Sequence, residues 1–320
     1  MMCQRIGRPP TSIIGFGLNW LSSEIRVPRP PARMTVFIPI LLGATWPARR
    51  AVLAVRPLIP KPCAGTRAAG WEAMAQPPRV TFIIAGVQKG GTTALFDYLQ
   101  DYPDIALPET KEQHFFDDEG LDWNHPPYDV YESRFPEVAD GPCGEATPIY
   151  TWWPGALERI AAYNPAMRLI IVLRDPVQRA WSHWRMEYAR GVETQPFAWC
   201  IREGRQRAFD TRPWGHHREF SYVERGFYGE QMERAYALFP REQVLVQRSD
   251  DLRRDPGAAL GEVRAFLGLP PAPTPTPREV HVGADIAYPS KLTAEDADHL
   301  RRVYAADAER LADLTGIRFN

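Results

Sequence analysis

The stretch Val80-Thr81-Phe82-Ile83-Ile84-Ala85-Gly86-Val87-Gln88-Lys89-Gly90-Gly91-Thr92-Thr93-Ala94-Leu95-Phe96-Asp97-Tyr98-Leu99 decides the fold. Its opening apolar run predicts a strand, and its closing residues repeat apolar side chains at helical spacing. Between them, residues 86–93 hold three glycines, one lysine and two threonines. Strand, glycine-rich loop and helix are the arrangement in which backbone N–H groups and a helix N-terminus cradle an anion. Gly86, Gly90 and Gly91 permit close backbone approach, and Thr92 and Thr93 offer hydroxyl donors at the helix start.

The loop resembles a P-loop with one departure. The nucleoside-triphosphate pattern G-x-x-x-x-G-K-[ST] puts lysine after the last glycine, where this chain has Thr92. Its only loop lysine, Lys89, stands earlier in the turn. Such a loop suits a phosphate ester other than ATP.

Beyond the loop, strands and helices alternate, which predicts an α/β domain with a mostly parallel sheet. Leu169-Ile170-Ile171-Val172-Leu173 reads as a strand buried on both faces. It ends in Arg174, and Asp175-Pro176 then caps a helix running to about Tyr188. Further helices are expected over 155–163, 228–239, 256–267 and 293–314, with a strand over 243–247. The stretch from Tyr102 to Tyr150 is aromatic-rich and has no period. Residues 79–320 are expected to form a single domain. Residues 1–78 are rich in Pro and Arg and lack periodicity, so they read as a disordered or untranslated N-terminal extension.

Composition bounds the partners. The 320 residues carry 38 Lys and Arg against 39 Asp and Glu, a net charge of −1, so no overall field recruits nucleic acid or anionic membrane. No apolar run reaches the roughly 18 residues of a spanning helix. Four cysteines without C-x-x-C spacing read as free thiols, which suggests a cytoplasmic protein. The Ala/Arg/Pro-rich sequence has a bacterial look. The pair His216-His217 has no acidic or cysteine neighbour at metal-ligand spacing, and no metal is expected.

A second motif lies where ligands gather, at the carboxyl end of a parallel strand. It reads Arg174-Asp175-Pro176-Val177-Gln178-Arg179-Ala180-Trp181-Ser182. The loop, followed by strand–Arg-Asp-Pro-x-x-Arg-Ala-x-Ser, resembles the two nucleotide signatures of sulfotransferases that use 3′-phosphoadenosine 5′-phosphosulfate (PAPS). The resemblance runs from residue 80 to about 315 and includes Arg225-Gly226-Phe227-Tyr228 and Phe266-Leu267-Gly268-Leu269. It implies a P-loop-like three-layer α/β/α sandwich. It also implies that Lys89, Gly90, Gly91, Thr92 and Thr93 hold the 5′-phosphosulfate, while Arg174 and Ser182 hold the 3′-phosphate. PAPS would be the co-substrate, without a metal, and Lys89 would neutralise charge on the departing phosphate.

A third segment, Glu109-Thr110-Lys111-Glu112-Gln113-His114-Phe115-Phe116, is similar to the Lys-Glu-x-x-Phe-Phe segment of the heparan-sulfate-type branch, the N-/3-O-sulfotransferase-like enzymes. The resemblance makes Glu112 the catalytic base, with His114 its rival and Lys111 a nearby cation. Phe116 and Trp153, within an aromatic wall from 115 to 153, are expected against a small-molecule or glycan acceptor. Two departures stand out. Ala146 replaces the lysine of a Glu-Lys-Thr-Pro segment, and Val282-Gly283-Ala284-Asp285 lacks the Lys-Gly-Arg closing loop, leaving closure over the nucleotide to Arg225 or Lys291. The competing readings are a P-loop small-molecule kinase and a nucleotide-binding module without turnover.

Overall fold

The computed structural model describes residues 77–136, 141–276, 278 and 286–319. The expected extension, but for its last two residues, and the 282–285 segment lie outside the described residues. All the described residues belong to one compact unit, Ala68–Asn320.

Strand β1 (Phe82–Gly86) feeds helix α1 (Thr92–Leu99), and an irregular stretch then holds the short helix α2 (Tyr128–Glu132). Next come β2 (Gly144–Ala146), α3 (Ala156–Tyr163), β3 (Arg168–Leu173), α4 (Pro176–Ala189) and α5 (Phe197–Cys200). The chain closes with α6 (Tyr228–Leu238), β4 (Val244–Arg248), α7 (Ser249–Arg254), α8 (Pro256–Phe266) and α9 (Ala294–Thr315). The four strands form one wholly parallel sheet in the order β2-β1-β3-β4.

Side-chain alternation along the central strands divides the core into two layers. Phe82 and Ile84 of β1, with Ile170 and Val172 of β3, pack against Leu95 and Leu99 of α1 and Leu260 and Val263 of α8. Ile83, Leu169 and Ile171 point the other way, against Leu157 and Ile160 of α3 and Met232 and Ala235 of α6. Both faces of β1 and β3 are therefore covered, as their unbroken apolar runs require. The result is the expected α/β/α sandwich. A third cluster joins α4, α5 and α9 through Trp184, Phe197, Leu300 and Tyr304.

The helix starts are those that the capping residues predict. Asp175 Oδ1 accepts from Gln178 N at 2.8 Å, with Pro176 in the first turn. Asp255 does the same for Ala258 N at 3.0 Å before α8. Helices α2, α5 and α7 and strand β2 went unrecognised in the sequence because each is six residues or shorter, too brief to display a period.

Candidate active site

Every strand of the sheet delivers a residue just past its carboxyl end to one cavity of about 910 Å³: Gln88 after β1, Pro148 after β2, Arg174 after β3 and Ser249 after β4. The cavity thus sits where parallel sheets gather ligands.

One flank is built for an anion. Gly91, at φ 103°, turns the loop into α1, and no side chain caps that helix start. Gly91, Thr92 and Thr93 line the cavity, so the positive end of the helix dipole faces it. Gly90 stays behind the loop, where a Cβ would come within 2.2 Å of Val172 O and 2.8 Å of Val87 O. A Gly90→Ala variant is therefore expected to lose about 3 kcal/mol, because backbone cannot move aside as a side chain can. Thermal denaturation reads this as a Tm drop of roughly 6–12 °C, accompanied by loss of anion binding.

Lys89 lies at φ 66°, and its Nζ is 3.7 Å from Met186 Sδ. Burial, then the Arg174 and Arg190 guanidiniums, lower its pKa from the usual lysine range, while Glu187 and Glu112 oppose them. Arg174 Nη1 donates to Lys89 O at 3.4 Å, and burial, then Arg253, lower its pKa too. Ser182 lines the same wall from α4. Mutually repelling cations beside an uncapped helix start make a strong positive field, which a phosphate ester neutralises.

The opposite flank is a chain of ion pairs. Lys111 Nζ is 2.5 Å from Glu112 Oε1. His114 Nε2 lies 3.5 Å from Glu112 Oε2, and His114 Nδ1 lies 2.9 Å from the buried Asp117 Oδ2. Arg218 binds Asp117 in turn, at 2.5 Å. Burial works to raise the Glu112 pKa, but His114 and Lys111 overcome it and lower it to about 2. Asp117 and Glu112 raise His114 to about 9. At neutral pH the pair is a carboxylate beside an imidazolium.

The backbone here is fastened at two points. Glu112 N donates to Ala146 O at 3.0 Å, and Phe115 N donates to Tyr150 OH at 3.0 Å. Tyr150 and Tyr131 both donate to the buried carboxylate of Glu145, at 3.2 and 2.7 Å, and Thr147 adds a third hydroxyl at 2.5 Å. Glu112 and His114, at φ 65° and 50°, join Lys89 as the non-glycine residues with positive φ among those described. Positive φ in such residues costs free energy and gathers where surrounding structure enforces a function.

The sulfotransferase-domain family model matches residues 79–281. The chain belongs to the sulfotransferase family. Within it, the chain is 34% identical over 191 residues to human heparan sulfate glucosamine 3-O-sulfotransferase 3B1, covering 58% of this chain and 45% of that protein. It is 33% identical over 211 residues to mouse heparan sulfate glucosamine 3-O-sulfotransferase 6, covering 63% of this chain and 57% of the relative. This sulfotransferase thus spans about half the length of the curated relatives it matches. Among solved structures, a sulfotransferase from Alicyclobacillus acidocaldarius superposes with a TM-score of 0.61 at 28% identity, covering 77% of this chain and 98% of its own. One expectation is corrected. The human and mouse relatives are heparan sulfate sulfotransferases, and on that finding the cytoplasmic placement drawn from the cysteines falls. The bacterial look of the composition finds no support in those mammalian matches.

Most expected site residues of the sulfotransferase meet at the cavity. Lys89, Gly91, Thr92, Thr93, Lys111, Glu112, His114, Arg174, Ser182 and Arg225 line it, and Gly90 supports it from behind. Phe116 and Trp153 are the exceptions. Phe116 is fully buried against Tyr131, Tyr150 and Tyr163, and Trp153 is covered by Arg218 and donates to Glu119. The aromatic stretch fills the core behind the site instead of walling an acceptor. Lys291 is exposed and does not line the cavity; Arg225 does.

The sequence reading missed Asp117, Arg218, Ser249 and Arg253. The last two follow β4, so the rule that singled out Arg174 at the end of β3 would have found them. Arg253 Nη2 donates to Ser249 Oγ at 3.4 Å, beside Gly91.

Proposed function

We propose that this chain moves a sulfuryl group from PAPS to a hydroxyl or amine of a carbohydrate acceptor, with Glu112 as the base. The observation that carries the reading is that Lys89, Glu112 and His114 share both the unusual positive φ and one cavity. Three enforced backbone geometries on two facing flanks are difficult to explain by packing alone.

The residues fit the donor. The uncapped start of α1, with Thr92 and Thr93, suits the 5′-phosphosulfate, and Arg174, Ser182 and Arg253 supply donors for a 3′-phosphate. Bound there, PAPS supplies an activated sulfur that an acceptor oxygen or nitrogen attacks as the bisphosphate leaves with the bonding pair. Lys89, desolvated and short of counter-charge, is poised to stabilise that departing charge. Glu112 takes the acceptor's proton. His114 cannot do so below about pH 9, because it already carries a proton. It serves instead to hold the Glu112 carboxylate in place. A base of low pKa accepts the proton late, once the bond to sulfur has made the attacking group acidic.

Calorimetry with 3′,5′-adenosine bisphosphate against ATP–Mg tests the donor assignment. Bisphosphate binding that is indifferent to Mg²⁺ is expected; binding of ATP–Mg alone returns the chain to the kinase reading.

A further inference from the structure

Two large aromatic rings stand in solvent on one loop outside the cavity. Phe209 is 62% and Trp214 58% exposed, and neither belongs to a core cluster. Single exposed apolar residues are ordinary, but these two share a patch. A Cβ on Gly215 would meet Phe209 Cε1 at 3.6 Å, so the Phe209 ring lies against the residue next to Trp214.

The loop that presents them is fastened from behind. Gly215 N donates to Ala208 O at 2.9 Å, His216 N to Pro213 O at 3.0 Å and His217 N to Ser221 Oγ at 2.9 Å. Ala208 and Ser221 are fully buried. A ligand meeting the rings therefore spends little on ordering them.

The patch borders the acceptor flank. His216 Nδ1 lies 3.2 Å from Trp214 O, and its ring packs on Trp152 at 4.6 Å, beside the Arg225 guanidinium over the same indole. Arg218 follows Trp214 by four residues, which keeps their Cα atoms within about 14 Å. Arg218 and Arg225 line the cavity, and Arg218 leads through Asp117 to His114 and Glu112.

The surroundings name the ligand chemistry. The Arg212 guanidinium stands 5.6 Å from the centre of the Trp214 ring, is exposed and has no ion pair among the described residues. A sugar ring has an apolar C–H face that packs on an aromatic ring, and an acidic group at its edge would meet Arg212. A lipid tail calls for an enclosing apolar groove, whereas Asp210, Thr211 and Arg212 beside these rings are all exposed.

Resting on the sulfotransferase reading of the cavity, we propose that Phe209 and Trp214 form an outer acceptor subsite. They hold one sugar of an acidic carbohydrate chain while another sugar of the same chain sits at Glu112. A chain occupies both places; a short acceptor fills only the inner one.

The test titrates a disaccharide and an octasaccharide of heparan sulfate, the glycan in the relatives' names, into protein saturated with 3′,5′-adenosine bisphosphate. Wild type should bind the octasaccharide at least tenfold more tightly. Trp214→Ala should weaken the octasaccharide by roughly tenfold, while the disaccharide affinity and the Tm stay as in wild type. Phe209→Ala should act in the same direction. Equal affinity of both sugars for wild type overturns the proposal, as does octasaccharide binding unmoved by either variant. Equal weakening of both sugars overturns it too, and self-association lost in Trp214→Ala gives the patch to a second copy instead. Failure of both sugars to bind overturns it while leaving the donor site intact. Failure of the bisphosphate to bind wild type defeats instead the functional reading beneath it.

Discussion

Glu112→Gln lowers kcat/KM by a factor of roughly 100 to 10,000 and leaves the affinity for 3′,5′-adenosine bisphosphate within a few-fold of wild type. Glutamine keeps the size of the side chain and one hydrogen-bond acceptor for His114, so the loss isolates proton acceptance. The pH profile carries the same argument. With Glu112 at about 2 and His114 at about 9, neither group titrates between about pH 5 and pH 8. The kcat/KM profile of wild type shows no inflection from this pair in that window. His114 is raised above its ordinary 6.5, so the stability it contributes is complete below that value and is lost as pH rises through about 9. Glu112 is depressed below 4.5, so its part is present above that value and lost as pH falls through about 2. Glu112→Gln with near-normal turnover, alongside an inactive His114→Ala, would transfer the base role to His114.

Lys89→Met reduces kcat by a factor of about 1,000, the scale of losing one pre-organised charge from a transition state. Methionine keeps the unbranched apolar stem, lacks the terminal ammonium and tolerates the apolar contact with Met186, so the effect reads the lost charge. Lys89→Arg is not expected to restore the rate, because a planar fork cannot replace a compact ammonium in a partly buried turn. Single-turnover kinetics at saturating donor separate this loss from weakened binding. A Met variant within tenfold of wild type removes Lys89 from the chemistry.

The donor flank was legible in the sequence because it depends on local order. Strand, glycine loop and helix are contiguous from Val80 to Leu99, and Arg174 and Ser182 sit on one strand end and the helix beginning directly after it. The acceptor flank was legible only in part. Glu112, His114 and Asp117 are close in sequence, and the two carboxylates are what raise His114, but Arg218, which binds Asp117, lies about a hundred residues away and is brought there only by the fold. Phe116 and Trp153 misled for a related reason. In a stretch without period, nothing in the sequence tells a ring that faces a cleft from one that fills the core. Burial decides that, and burial is a property of the whole domain.

The two fastenings on either side of Glu112 and His114, at Ala146 O and Tyr150 OH, have a thermodynamic consequence. The conformational freedom of the Glu112 segment is surrendered when the domain folds, not when a ligand arrives. A ligand that reaches this segment meets a ready geometry and spends none of its contacts on ordering it, because Glu145, buried under three hydroxyls, holds Tyr150 in place.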